Sequence, residues 1–188
     1  MANLRKAGAY SKKYARPYTR KSKKRTKSFI KAVPQLKIAK FTMGNTKARK
    51  LGKFDTIIKI ISAEQVQIRD NALEAARQTI SRNLEKQIQG QYYIELKVYP
   101  HHILRENKML TGAGSDRMQT GMQKSFGKAI GRAALVKPNQ VIFYIETSGE
   151  KQIKAIRKTL ATIKSKLPCK IKVLVEKVIA QPAVQNPA

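Results

Sequence analysis

HHILRENKMLTGAGSDRMQTGMQKSFGKAIGR, residues 101–132, is the stretch on which the reading of this 188-residue chain turns. It follows an apolar strand pattern at Tyr92–Tyr99 and gives way to another at Ala133–Val136, yet it holds few large core-forming side chains. Five of the chain's ten glycines stand in it: Gly112, Gly114, Gly121, Gly127 and Gly131. An irregular connection of this length inside a compact domain is uncommon and usually functional or disordered. Glycine lets backbone approach a partner closely and adopt positive φ. Arg105, Lys108, Arg117, Lys124, Lys128 and Arg132 face only Glu106 and Asp116, so the segment is a basic arm. It reads as an arm held out by a small α/β body toward something anionic; a disordered surface loop is the plainer alternative.

The imbalance extends to the whole chain. Forty Lys and Arg stand against eleven Asp and Glu, a formal net charge of +29 and a pI near 10.5. A compact body with that surplus repels itself unless a polyanion neutralises it. The 41% apolar content is enough for the core of one domain with extensions. A membrane partner fits poorly: no run approaches the roughly 20 apolar residues needed to span a bilayer, and the basic segments lack a Trp- or Leu-rich opposite face. The start of the chain has no apolar core of a signal peptide. The single cysteine, Cys169, excludes an internal disulfide. Nucleic acid in an intracellular setting is the expected partner.

Residues 1–50 contain no Asp or Glu and seventeen Lys or Arg, leaving +12 for the other 138 residues. Such a front-loaded charge suits an arm laid along phosphates. The candidate phosphate contacts are Arg5, Lys6, Lys12, Lys13, Arg16, Arg20, Lys21, Lys23, Lys24, Arg25 and Lys27, then Lys47, Arg49 and Lys50 in a basic loop, and Lys124, Lys128 and Arg132 late in the central arm. Tyr10, Tyr14 and Tyr18 recur every four residues among these cations, where rings can stack on exposed bases, with Tyr18 the candidate retained. Pro17 stops a continuous helix there.

Between the arms the pattern is that of a folded domain. Leu36–Gly44 reads as a half-exposed strand, Lys47–Lys53 as a basic loop and Phe54–Ile61 as a β-branched strand. Ser62–Gln65 resembles a capping box opening a helix to about Gln89, with a later start at Asp70 as the alternative. Leu73, Ala76, Ile80, Leu84 and Ile88 form its apolar stripe, and Gly90 ends it. Gln91–Tyr99 alternates as a strand closed by Pro100. Ala133–Lys137 and Gln140–Glu146 flank Pro138-Asn139 and predict a hairpin. Thr147–Glu150 resembles a second capping box, before a helix striped by Ile153, Ile156, Leu160, Ile163 and Leu167. Lys170–Val178 reads as a last strand. The expected class is α+β: a mostly antiparallel sheet with two amphipathic helices on one face, a long glycine-rich basic loop and a basic N-terminal extension. The expected organisation is an extension at 1–28, a sandwich at 29–179 with its loop at 101–132, and a flexible tail at 180–188.

Catalysis finds no foothold. Adjacent His101 and His102 point to opposite faces if extended, and a zinc site from them plus Cys169 would need unsupported coincidence. Gly112-Ala-Gly114 lacks the third glycine of a dinucleotide fingerprint, since Arg117 stands in its place, and no Walker-type GK[ST] occurs. No enzyme, metal or cofactor is expected.

RPYTRK (16–21), AVPQLKIAKFTMGN (32–45), EQVQIRDNALEAAR (64–77), YPHHILRENKMLTGAGSDRMQTGM (99–122) and FGKAIGRAALV (126–136) come in one order over roughly residues 16–178. In these blocks the chain resembles the universal large-ribosomal-subunit protein sixteen, in its archaeal and eukaryotic branch (ribosomal protein ten-e). The resemblance implies an α/β sandwich that binds large-subunit rRNA in the cytoplasmic ribosome and supports aminoacyl-tRNA accommodation. It also implies a central loop facing tRNA and the peptidyl-transferase region, here His101, His102, Arg105, Lys108, Gly112, Gly114, Arg117 and Gln119. Neighbouring large-subunit proteins are further partners; no membrane and no homo-oligomer are expected. A free-standing RNA chaperone or regulatory RNA-binding protein fits the composition equally well.

Overall fold

The computed structural model describes residues 32–106 and 128–177, so the expected extension (1–28) and tail (180–188) lie outside the described residues. In chain order the elements are β1 (Thr42–Gly44), α1 (Thr46–Lys50), β2 (Thr56–Ser62), β3 (Val66–Arg69), α2 (Asp70–Gln87), β4 (Tyr92–Leu96), β5 (His102–Glu106), β6 (Lys128–Val136), β7 (Val141–Thr147), α3 (Glu150–Ile163) and β8 (Ile171–Lys177). The class is α+β, as expected, but the strands form two sheets where the sequence predicted one. Five strands lie in the order β1-β4-β7-β2-β8 and three in the order β3-β6-β5, with every described pairing antiparallel.

One apolar core joins these layers. Ile58, Ile60, Ile94, Phe143 and Ile145 of the large sheet bury against Leu73, Ala76, Ile80 and Leu84 of α2 and Ile156, Leu160 and Ile163 of α3. Val66, Ile68, Ala134 and Val136 bring the small sheet into the same cluster. The helical spacing of three and four collects each helix's branched side chains on one buried stripe, the stripe read from the sequence. Cys169 is a free thiol buried just before β8.

Several local readings are corrected, each for a reason visible in the hydrogen bonding. The predicted 133–146 hairpin does not form. β6 and β7 enter different sheets because Asn139, at φ 60°, turns the chain away, and the turn is tied instead to the end of β2. There the Asn139 N–H donates to the Ser62 carbonyl (2.8 Å) and the Ser62 N–H to the Gln140 carbonyl (3.1 Å). Ser62–Gln65 is not a capping box, since the Ser62 hydroxyl is spent on Glu64 and β3 precedes the helix. The helix starts at Asp70, as the alternative expects, but Asp70 is its first residue rather than its cap: Arg69 holds the cap position without a side-chain bond, and the Asp70 carboxylate accepts from the Asn71 N–H at 2.8 Å. The second box fails as well, because Gly149 caps α3 without a side chain and the Thr147 hydroxyl donates to Gln91.

The Leu36–Gly44 strand shrinks to Thr42–Gly44. Upstream, the Lys37 and Ala39 N–H groups donate to the Asp70 and Glu74 carboxylates of α2 (both 3.3 Å), which satisfy backbone that a strand ladder would otherwise claim. The Gln91–Tyr99 strand is likewise trimmed to Tyr92–Leu96. The basic loop at Lys47–Lys53 contains α1, capped by the Asn45 side chain on the Ala48 N–H at 2.9 Å. The long loop of 101–132 is built at both roots: β5 and β6 pair from His102↔Ala133 to Glu106↔Lys128, with a bulge between Leu104 and Arg105. Among the described residues no helix is long and apolar enough to cross a membrane.

Candidate nucleic-acid interface

β5 and β6 carry the chain out to the arm. Ile103 and Leu104 are buried at its root, so the outgoing strand is anchored in the body before it leaves. His102 is buried too, and burial, reinforced by the Arg105 charge, holds its pKa below the ordinary 6.5. It is thus a neutral imidazole of the root near pH 7. His101 faces the other way and is exposed, so the adjacent pair splits as the extended-strand argument required. Arg105 is half-buried where the bulge bends β5.

Arg132, on β6, binds a second segment to this root. Its Nε donates to the Pro34 carbonyl at 2.7 Å and its Nη1 to the Tyr99 hydroxyl at 3.3 Å. Pro34 lies on the lead-in from the basic N-terminal stretch, whose described part begins at residue 32. From Arg132 to Lys128 is four strand residues, about 13 Å at the usual strand rise. The N-terminal lead-in and the outward end of the arm's returning strand therefore join the body within one small region. Tyr99 stands beside them, 42% exposed, stacked on Phe41 (centroids 5.5 Å, planes 19° apart) and tilted against His101 at 4.4 Å. Neither Phe41 nor Tyr99 stands out in the sequence as a candidate contact. Only their shared neighbour in space marks them, and no spacing rule encodes it.

α1 places the remaining described candidates. Lys47 and Lys50 are exposed and make no ion pair among the described residues. Arg49 is turned back onto the outer face of the large sheet. Its Nε donates to Glu146 Oε1 at 3.1 Å and its Nη1 to the Tyr93 hydroxyl at 2.6 Å, with Glu95 Oε2 3.2 Å away. The guanidinium lies 4.2 Å over the Tyr93 ring and 5.9 Å from that of Tyr144. Burial, with Glu146 beside it, pushes the Tyr144 phenol up to about 12. Arg49 thus sits inside an intramolecular network, while its two lysine neighbours face outward.

Arg5, Lys6, Lys12, Lys13, Arg16, Tyr18, Arg20, Lys21, Lys23, Lys24, Arg25, Lys27, Lys108, Gly112, Gly114, Arg117, Gln119 and Lys124 lie outside the described residues. Lys128 contributes described backbone to β6. The described residues offer exposed cations, an aromatic stack with Tyr99 at its surface and the roots of two basic segments, parts suited to a phosphate- and base-contacting surface.

Comparison with known families decides what this surface belongs to. The profile of the family described as Ribosomal protein L16p/L10e matches residues 16–174, most of the chain. The chain belongs to this family. It is 43% identical over 173 residues to the large ribosomal subunit protein uL16 of Pyrobaculum calidifontis, covering 92% of this chain and 93% of that one. The uL16 protein of Staphylothermus marinus is 41% identical over 166 residues, 88% and 89% of the two chains. That of Hyperthermus butylicus is 43% identical over 153 residues, 81% and 79%. These are archaeal uL16 proteins, in keeping with the archaeal and eukaryotic branch that the sequence blocks resembled. The L16p/L10e family is one of ribosomal proteins, not of enzymes.

Proposed function

We propose that this chain is a structural protein of the large ribosomal subunit, held in the cytoplasmic ribosome by contacts to large-subunit rRNA and neighbouring proteins. Its central arm supports the accommodation of aminoacyl-tRNA. The observation that carries this reading is the clamp at Arg132. It brings the lead-in of the acid-free N-terminal segment and the root of the glycine-rich arm together on the body. A rigid body that anchors both segments turns them into paired grips on one folded polyanion. The uL16 names of the archaeal relatives support the subunit assignment.

Lys and Arg on both segments would meet phosphates, which position the protein without reading sequence. Backbone at Gly112 and Gly114 would come close enough to RNA to donate its N–H groups, because no side chain stands in the way. His101, Arg105, Lys108, Arg117 and Gln119 form the face toward tRNA. Sedimentation tests the reading: the chain should travel with large-subunit particles at stoichiometric level through moderate salt. Release into a free pool at that salt would mark a chaperone or regulatory binder instead.

A further inference from the structure

The span Lys151–Val175 holds eight cations and no acid: Lys151, Lys154, Arg157, Lys158, Lys164, Lys166, Lys170 and Lys172. It therefore carries most of the +12 that lies outside residues 1–50. All eight side chains are exposed, and none makes an ion pair among the described residues. Four of them occupy the solvent face of α3, opposite the buried stripe of Ile156, Leu160 and Ile163.

The neighbouring helix sets the contrast. α2 lies alongside α3 in the same layer, yet it balances three acids, Asp70, Glu74 and Glu85, with Arg77, Arg82 and Lys86. It also closes the Glu74–Arg77 pair at 2.5 Å. α3 instead sets like charges three and four residues apart at Lys151/Lys154, Lys154/Arg157 and Lys154/Lys158, a spacing that destabilises a helix standing in water alone. Past its end, Lys164 and Lys170 line one groove beside the Leu167-Pro168 turn, two cations against the single acid Glu64, and Lys166 and Arg69 line another. The row from Lys151 to Lys164 spans about 20 Å at the helical rise.

We propose that the solvent face of α3, continued through Lys164, Lys166 and Lys170, is a further docking surface for the phosphate backbone of folded large-subunit rRNA, separate from the two basic segments. The proposal rests on the rRNA-binding reading above and extends it from the arms to the body. Phosphate is the occupant that charge complementarity selects: eight exposed cations with no aromatic side chain anywhere in the span Lys151–Val175 offer a base nothing to stack on. Binding there neutralises the like-charge pairs within the helix.

The test measures binding of the full chain to purified large-subunit rRNA across a salt series, with wild type beside a Lys151→Gln, Lys154→Gln, Arg157→Gln, Lys158→Gln variant. All four positions are exposed, and Gln is a good helix former. A Lys151→Arg, Lys154→Arg, Lys158→Arg variant keeps the charge and should bind as wild type. The slope of log affinity against log salt should become shallower by roughly 0.7–0.9 for each lost phosphate contact, about 3 for four contacts. Affinity near 0.1 M salt should fall at least tenfold, with the unfolding midpoint close to that of wild type. An unchanged slope in a folded Gln variant overturns this inference alone. Wild type that fails to bind the RNA at all overturns the underlying reading instead.

Discussion

Arg49 separates a cation that holds the fold from cations that hold a partner, and Arg49→Met exposes the difference. The substitution keeps the straight aliphatic stem and deletes the guanidinium. Glu146 and Glu95, with side chains only 12% and 22% exposed, then lose the charge at 3.1 and 3.2 Å that offsets their desolvation. Glu95 Oε2 is buried and accepts no hydrogen bond, so its dependence on Arg49 is electrostatic. Lys97, 2.7 Å from Glu95 Oε1, keeps part of the balance. Breaking a fully buried pair costs about 3–5 kcal/mol, an exposed one about 0.2–1. Arg49 is itself 36% exposed, which pulls the figure toward the lower end. The lost cation–π contact with Tyr93 adds about 0.5–1 kcal/mol. A net loss near 2 kcal/mol follows, or a fall of about 4–8 °C in Tm for a chain of this length. Urea unfolding followed by tyrosine fluorescence and far-UV circular dichroism should show the midpoint drop with the m-value unchanged. The salt slope of rRNA binding should stay at the wild-type value, whereas Lys47→Gln with Lys50→Gln should flatten the slope and leave the midpoint alone. An Arg49→Met protein of wild-type stability with a flattened slope would refute the assignment.

Backbone conformation and burial set the next outcomes. Gly44 has φ +89°, and a Cβ there would stand 2.3 Å from the Tyr92 carbonyl oxygen, so Gly44→Ala should cost at least about 2 kcal/mol. Gly52, at φ +64° with nothing within 4 Å of such a Cβ, should lose only about 1 kcal/mol on the same change, both read by urea midpoints. His102, held below its ordinary pKa by burial and then by Arg105, stays neutral in the fold while the unfolded chain takes a proton as pH drops past 6.5. Stability should therefore decline from pH 6.5 down to the lower folded pKa, and His102→Gln should flatten that decline. Glu74, whose pKa Arg77 lowers by hydrogen bonding, acts in a separate window below 4.5. Replacing Arg105, Lys108 and Arg117 together should impair aminoacyl-tRNA engagement in a translation assay more than particle assembly, and normal translation would remove the arm's assigned role.

The parts of this fold written in local periodicity are legible in the sequence. The stripes Leu73–Ala76–Ile80–Leu84 and Ile156–Leu160–Ile163 mark both helices, because the 3.6-residue repeat and burial are one constraint. What escaped is long-range pairing. Nothing near Pro138-Asn139 announces that β6 turns to β3 and β5 while β7 turns to β2 and β4; the Ser62 backbone, more than seventy residues upstream, decides it. Both capping boxes failed for a related reason, since Ser62 and Thr147 end buried strands and their hydroxyls are already committed there. Charge was legible as quantity but not as assignment. Arg49 reads like Lys47 and Lys50 in the sequence, and only the fold turns it onto Tyr93 and Glu146. The exposed row on α3 is equally open to view in the sequence, yet only the fold shows that its cations close no ion pair among the described residues.

A density map of the large subunit with aminoacyl-tRNA bound tests the central claim most directly. The account predicts both basic segments of this chain against rRNA phosphates, diverging from the Arg132–Pro34 clamp, with the tip of the arm turned toward the tRNA. A chain missing from purified subunits, or one whose two basic segments lie in solvent or fold back over its own sheets, would contradict it.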